Sequence, residues 1–202
     1  MKKLFILMIF LPILFSSCST HKQPNLEQPV QNKTDNKISI KQISKSEADS
    51  VLRRFSKNLD VRYDDMKNIT FYSCPVDLEN HPHIFLIPYV IMTNDYKVVL
   101  KNHILYSGSE PLYFDTLYIK SDEGVAKFLF KNIIKSSAGE EFIGTMQFDL
   151  YKKLCESVEG ENIKIRLEGR TFGERNLTAV EIVQIDSVLS IYDYFSHVQV
   201  IK

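Results

Sequence analysis

The chain has 202 residues, 44% hydrophobic and 25% charged, with 25 basic and 25 acidic side chains and no formal net charge. These proportions describe a folded domain and exclude disordered, collagen-like and polytopic membrane chains. A neutral balance argues against nucleic-acid binding, which needs a basic surface against phosphates, and three cysteines are too few for a disulfide scaffold.

At the start, Lys2 and Lys3 precede an apolar run from Leu4 to Phe15 that is interrupted by Pro12. The run is too short to cross a bilayer, which takes about twenty apolar residues. A charged start, a short apolar stretch and the small residues Ser16 and Ser17 form the pattern of an export signal. Cys18 follows directly. The segment Leu14-Phe15-Ser16-Ser17-Cys18 resembles the lipobox of bacterial lipoproteins, with Phe15 where an aliphatic residue is usual. That resemblance implies that signal peptide 1–17 is removed, that the Cys18 thiol carries diacylglycerol, and that the new amino group often takes a further acyl chain such as palmitate. Each buried methylene contributes about 0.8 kcal/mol, so two or more chains make a stable membrane anchor. Loss of Lys2 and Lys3 leaves 23 basic and 25 acidic side chains, a charge of −2 that offers no electrostatic attraction to anionic lipid, so the acyl chains alone are expected to hold the protein. The expected location is the cell envelope, lipid-anchored. No acidic cluster follows Cys18, as it does in some lipoproteins displayed on the cell exterior, so the periplasm-facing side is the expected one.

Residues 18–37 read as a disordered tether, with Pro24, Pro29 and few apolar residues apart from Leu26 and Val30. Such a stretch cannot bury enough surface to offset its ordering entropy. A single α+β domain is expected over 38–202. Ile38, Ile40 and Ile43 alternate with polar residues as in a short strand. Ser44 followed three residues later by Glu47 is a capping box, and the spacing of Ala48, Val51, Leu52 and Phe55 predicts a helix over 45–58. Strands are expected at 69–74, 84–93, 97–106, 112–119, 125–130, 141–148 and 163–168, several of them joined by short turns that favour antiparallel neighbours. Asp149 can cap a second helix at 150–158, and Thr178 with Glu181 caps a third at 178–195. The whole reads as an antiparallel meander of about seven strands with three packed helices.

The stretch 97–130, with its Tyr106-Ser107-Gly108 turn and Tyr113-Phe114-Asp115, resembles a group of uncharacterised bacterial lipoproteins. So does Ile163-Lys164-Ile165-Arg166-Leu167-Glu168-Gly169 before a capped helix. Together these segments cover about half of the domain. The chain lacks the tryptophan that those proteins often carry beside the aspartate. The resemblance implies no activity.

Candidate chemistry is sparse. Asp77, Glu79, His81 and His83 alternate, which would place them on one side of an extended segment as possible metal ligands. Pro75 and Pro82 interrupt strand pairing there, which favours a polar loop. Cys74 and Cys155 remain after lipidation. They could form a disulfide in an oxidising compartment or stay as buried thiols, and Cys74 could in principle act as a nucleophile with His81 or His83. No Gly-x-Ser-x-Gly elbow, phosphate-cradling loop or dinucleotide fingerprint is present in the sequence. Tyr106, Tyr113 and Tyr118 suit either sheet packing or an aromatic platform. The expected role is a membrane-anchored, non-catalytic binding or interaction module without a cofactor, meeting the membrane through its lipid and an unspecified protein or small ligand, but no nucleic acid. The alternative is an exported metal-dependent or cysteine hydrolase using the 74–83 segment.

Overall fold

Ile84–Thr93 is apolar almost throughout, and in a computed structural model it forms the longest of the described strands. The structure describes residues 40–76, 83–121, 124–136, 139–145, 148, 151–152, 155 and 163–201. In chain order the elements are β1 (Lys41–Ser44), α1 (Lys45–Phe55), a 3₁₀ turn (Ser56–Asn58), β2 (Asp60–Asp64), β3 (Ile69–Ser73), β4 (Ile84–Thr93), β5 (Val98–Tyr106), β6 (Thr116–Ser121), β7 (Gly124–Leu129), β8 (Ile134–Ser136), β9 (Gly139–Thr145), β10 (Lys164–Glu168), β11 (Phe172–Asn176), α2 (Ala179–Ser196) and β12 (Val198–Ile201).

The described strands form three sheets. A six-stranded antiparallel sheet has the order β2-β3-β4-β5-β9-β8, and a four-stranded antiparallel sheet has the order β11-β10-β6-β7. The third is a parallel pair of β1 with β12, in which Lys41 stands opposite Val198 and Ser44 opposite Ile201. The fold is thus α+β, but not a single meander of about seven strands.

The difference has identifiable causes. Residues 112–115 are not a strand, because Tyr113 takes a left-handed backbone (φ 54°), which redirects the chain into the second sheet. Its amide donates to both carboxylate oxygens of the buried Glu140, at 2.9 and 2.7 Å, and this fixes the bend against β9. β2 and β11 are short, charged and largely exposed, and β8 and β12 are only three and four residues long, so none shows the long apolar run that marks a strand in sequence. Among the described residues there are two α-helices rather than three. The helix expected at 150–158 falls mostly outside the described residues, although Tyr151, Lys152 and Cys155, with the neighbouring Phe148, have helical backbone.

Both helices begin as their caps require. The Ser44 hydroxyl accepts from the Glu47 amide, and Thr178 with Glu181 completes a reciprocal capping box. Arg53 and Arg54 lie in the last turn of α1, where the negative end of the helix dipole favours cations. α2 buries Ile182, Ile185, Val188, Leu189, Ile191 and Phe195. It contacts β4 and β5. On those strands Ile84, Leu86, Val90, Met92, Leu100 and Ile104 are buried at even-numbered positions, as a period of two demands, and Phe85 near the start of β4 is buried at an odd one. The same core includes Leu117, Ile119, Ile165 and Leu167 of the four-stranded sheet. Burying each such side chain contributes about 1.5–3 kcal/mol.

Candidate functional site

With the even positions of β4 and β5 committed to the core, the odd positions project from the other face of the six-stranded sheet. That face remains partly open to solvent: Val99 is 49% and Ile143 50% exposed. It holds a depression of about 660 Å³ whose lining includes Arg62, Phe71, Tyr89, His103, Leu105 and Ile143. Small-ligand sites commonly fall between about 300 and 1,000 Å³.

Asp60, Arg62 and Ser73 add polar groups to the lining, and one polar pair is hydrogen-bonded at its edge. His103 on β5 and Glu141 on β9 meet at 2.8 Å between Nε2 and Oε2, with side chains 28% and 18% exposed. The register brings them diagonally across, His103 standing opposite Ile143 and Leu105 opposite Glu141. Aromatic surface flanks the depression. The Phe71 and Tyr89 rings lie 6.4 Å apart, and the Arg62 guanidinium sits 4.8 Å from the Phe71 ring centre. Burial raises the Tyr89 hydroxyl above the ordinary phenol pKa, so it is a neutral hydrogen-bonding group at pH 7. Ser73 also lines the depression. Among the described residues, however, His103 is hydrogen-bonded to Glu141 and not to a serine or cysteine. The arrangement can hold an apolar surface and anchor a polar group on it, but it presents no activated nucleophile.

Cys74 follows β3, lines the first depression and also lines a second hollow, of about 370 Å³, formed with Pro75, Val76, Phe85, Glu181 and Ile185. Cys74 is 6% exposed. Burial pushes its thiol far above the usual range, and the Glu181 charge and neighbouring Cys155 push it further. A neutral thiol is the opposite of what a cysteine hydrolase needs. Cys74 is a free thiol in this structure. Cys74 is therefore expected to resist iodoacetamide at pH 8 in the folded protein and to react once the chain is unfolded in urea. Mass spectrometry of the labelled peptides checks this, and rapid native labelling of Cys74 would contradict it.

His83 opens the chain into β4 with a left-handed backbone (φ 64°). Its carbonyl accepts from the Ser107 amide at 2.8 Å, and its ring lies edge-on to Tyr106 at 6.5 Å. Asp77, Glu79 and His81 lie outside the described residues. Among the described residues no three His, Cys, Asp or Glu side chains are grouped to hold a metal ion. Cys18 and the segment around it also lie outside. No helix among the described residues is long and apolar enough to cross a membrane.

Tyr113 and Tyr118 are engaged. Tyr113 has Lys135 at 3.8 Å and Arg170 at 4.4 Å from its ring centre, and Tyr118 has Lys127 at 5.4 Å. Cations already lie over these rings, so they do not offer a bare stacking platform. The aromatic surface of the depression comes instead from Phe71 and Tyr89, which sequence reasoning did not single out. In the sequence, Val98, Leu100, Ile104 and Tyr106 alternate with Lys97, Lys101 and His103, which sets His103 on the outward side. Its partner is 38 positions away, and only the β5–β9 register reveals it. No protein-family model, curated protein or solved structure matches the chain.

Proposed function

We propose that the protein is a membrane-anchored bacterial envelope lipoprotein whose α+β domain is a non-catalytic binding module. The open face of its six-stranded sheet is the binding surface. The observation that carries the module is the depression of about 660 Å³ with His103 and Glu141 hydrogen-bonded at its edge and apolar side chains around them. The ligand it suits is a largely apolar surface or extended segment with one hydrogen-bonding group. Phe71, Tyr89, Leu105 and Ile143 supply contact area, and the imidazole–carboxylate pair supplies orientation. The anchor rests on Leu14-Phe15-Ser16-Ser17-Cys18, which resembles a lipobox.

Two measurements test the two halves. Metabolic labelling with palmitate should mark the wild-type chain and not Cys18→Ser, which should also leave the membrane fraction. An unlabelled wild type would remove the anchor. For the module, a photoreactive phenylalanine analogue at Tyr89 should yield an adduct of defined mass in intact cells. The adduct should disappear when Ile143 is changed to Arg, and the same probe at the exposed Lys120 of the four-stranded sheet should not form it. Equal labelling from both positions would reject this face.

A further inference from the structure

The charge is not spread evenly along the chain. Residues 41–58 carry five basic side chains, Lys41, Lys45, Arg53, Arg54 and Lys57, against Glu47 and Asp49. Both acids are engaged: Glu47 pairs with Lys41 at 3.1 Å, and Asp49 accepts from the Tyr96 hydroxyl at 2.7 Å. Lys45, Arg53, Arg54 and Lys57 are all exposed, and none of them forms an ion pair among the described residues. On α1, Ala48 is buried and Val51, Leu52 and Phe55 are half-buried, so the opposite side centres on Ser46, Ser50, Arg53 and, one turn on, Lys57. Beside the end of this helix lie Val180 and Val183 of α2, 65% and 49% exposed, which border a hollow with Asn58.

We infer that this basic helix face rests on an anionic phospholipid surface. The argument is charge complementarity joined to chain connectivity. A cationic helix face with exposed aliphatic side chains beside it is the chemistry of a surface that sits on acidic headgroups. The chain also enters the described fold at Ile40, immediately before β1 and α1. Only 21 residues separate Ile40 from Cys18, a span of at most about 80 Å at full extension. The inference rests on the lipid-anchor reading for its biological setting. It assigns the anchored domain a preferred face: α1 toward the headgroups. The overall charge of −2 conceals this, because residues 41–58 alone carry a charge of +3.

Each basic side chain close to an acidic surface strengthens association about fivefold. The test uses the chain from residue 18 onward with Cys18→Ser, which carries no acyl group. Residues Ser39–Lys202 make a compact unit of their own, so removing the signal leaves that unit whole. Co-sedimentation at low salt should show binding to vesicles of phosphatidylcholine with phosphatidylglycerol and none to phosphatidylcholine alone. Arg53→Glu with Lys57→Glu should weaken binding by more than about twentyfold. The charge-matched control Lys120→Glu with Lys127→Glu, on the four-stranded sheet, should not weaken it, and circular dichroism should match wild type for both. No preference for anionic vesicles would overturn the proposal. So would an equal loss from both variants, or binding to polyglutamate that vesicles cannot displace. Because no acyl chain is present, such failures leave the palmitate result and the anchor untouched.

Discussion

Glu181→Ala should cost about 3–5 kcal/mol of folding stability, the range for removing one partner of a buried ion pair. Arg175 is the reason. Its side chain is only 6% exposed, and it is tied at both ends. The guanidinium donates to Glu181 Oε2 at 2.9 Å and Oε1 at 2.5 Å, and Nε donates to the Ile84 carbonyl at 2.6 Å. One side chain thus joins β11, β4 and the first turn of α2. Glu181 also accepts from the Thr178 amide at 2.8 Å, so the substitution breaks the capping box and leaves a buried cation without its counter-charge. Urea unfolding at pH 7 measures the loss, and a change below about 1 kcal/mol would show that water takes over the carboxylate's role.

The same residue sets an acid limit. Burial raises the Glu181 carboxyl, but hydrogen bonds from Arg175 and Thr178 and the Arg175 charge outweigh it, and the net pKa is lowered from 4.5. A depressed carboxylate stabilises the fold fully above the unfolded-state value, and the contribution is lost as pH falls through the folded value. Wild-type stability should therefore decline below about pH 4.5, and Glu181→Gln should flatten that segment of the profile.

Leu167→Ala should cost about 2–5 kcal/mol, the usual range for truncating a buried aliphatic side chain. Leu167 is completely buried on β10, a central strand of the four-stranded sheet, between Leu117 and Gly173 across the register. Ile143→Ser, on the open face, removes apolar atoms that are already half in water and should change stability by no more than about 0.5 kcal/mol. The contrast separates a face that holds the fold from one free to meet a ligand. Equal losses in urea midpoint would mean that the outer face is structural.

Periodicity and caps made much of this architecture legible before any coordinates. Ile84–Thr93 is a strand at the expected bounds, Ser44 and Thr178 cap their helices, and Leu100 and Ile104 point into the core while Lys101 and His103 point away. Short edge strands were not legible. Asp60–Asp64 carries three charges in five residues, and Asp64-Asp65 reads as a turn although Asp64 still pairs with Ile69. The chain end past His197 likewise reads as a tail, because its pairing partner is the first described strand. The candidate site was the least legible part. Its polar pair depends on which strands are neighbours, and the chain leaves the six-stranded sheet after β5 to form β6 and β7 of the second before β8 and β9 return.

The parallel pairing of Lys41–Ser44 with Val198–Ile201 has a consequence for how the molecule is made. A ribosome delivers the first of these segments long before the second. The opening strand therefore waits, unmatched, while everything between them is synthesised, and the small parallel sheet can form only once both segments are present.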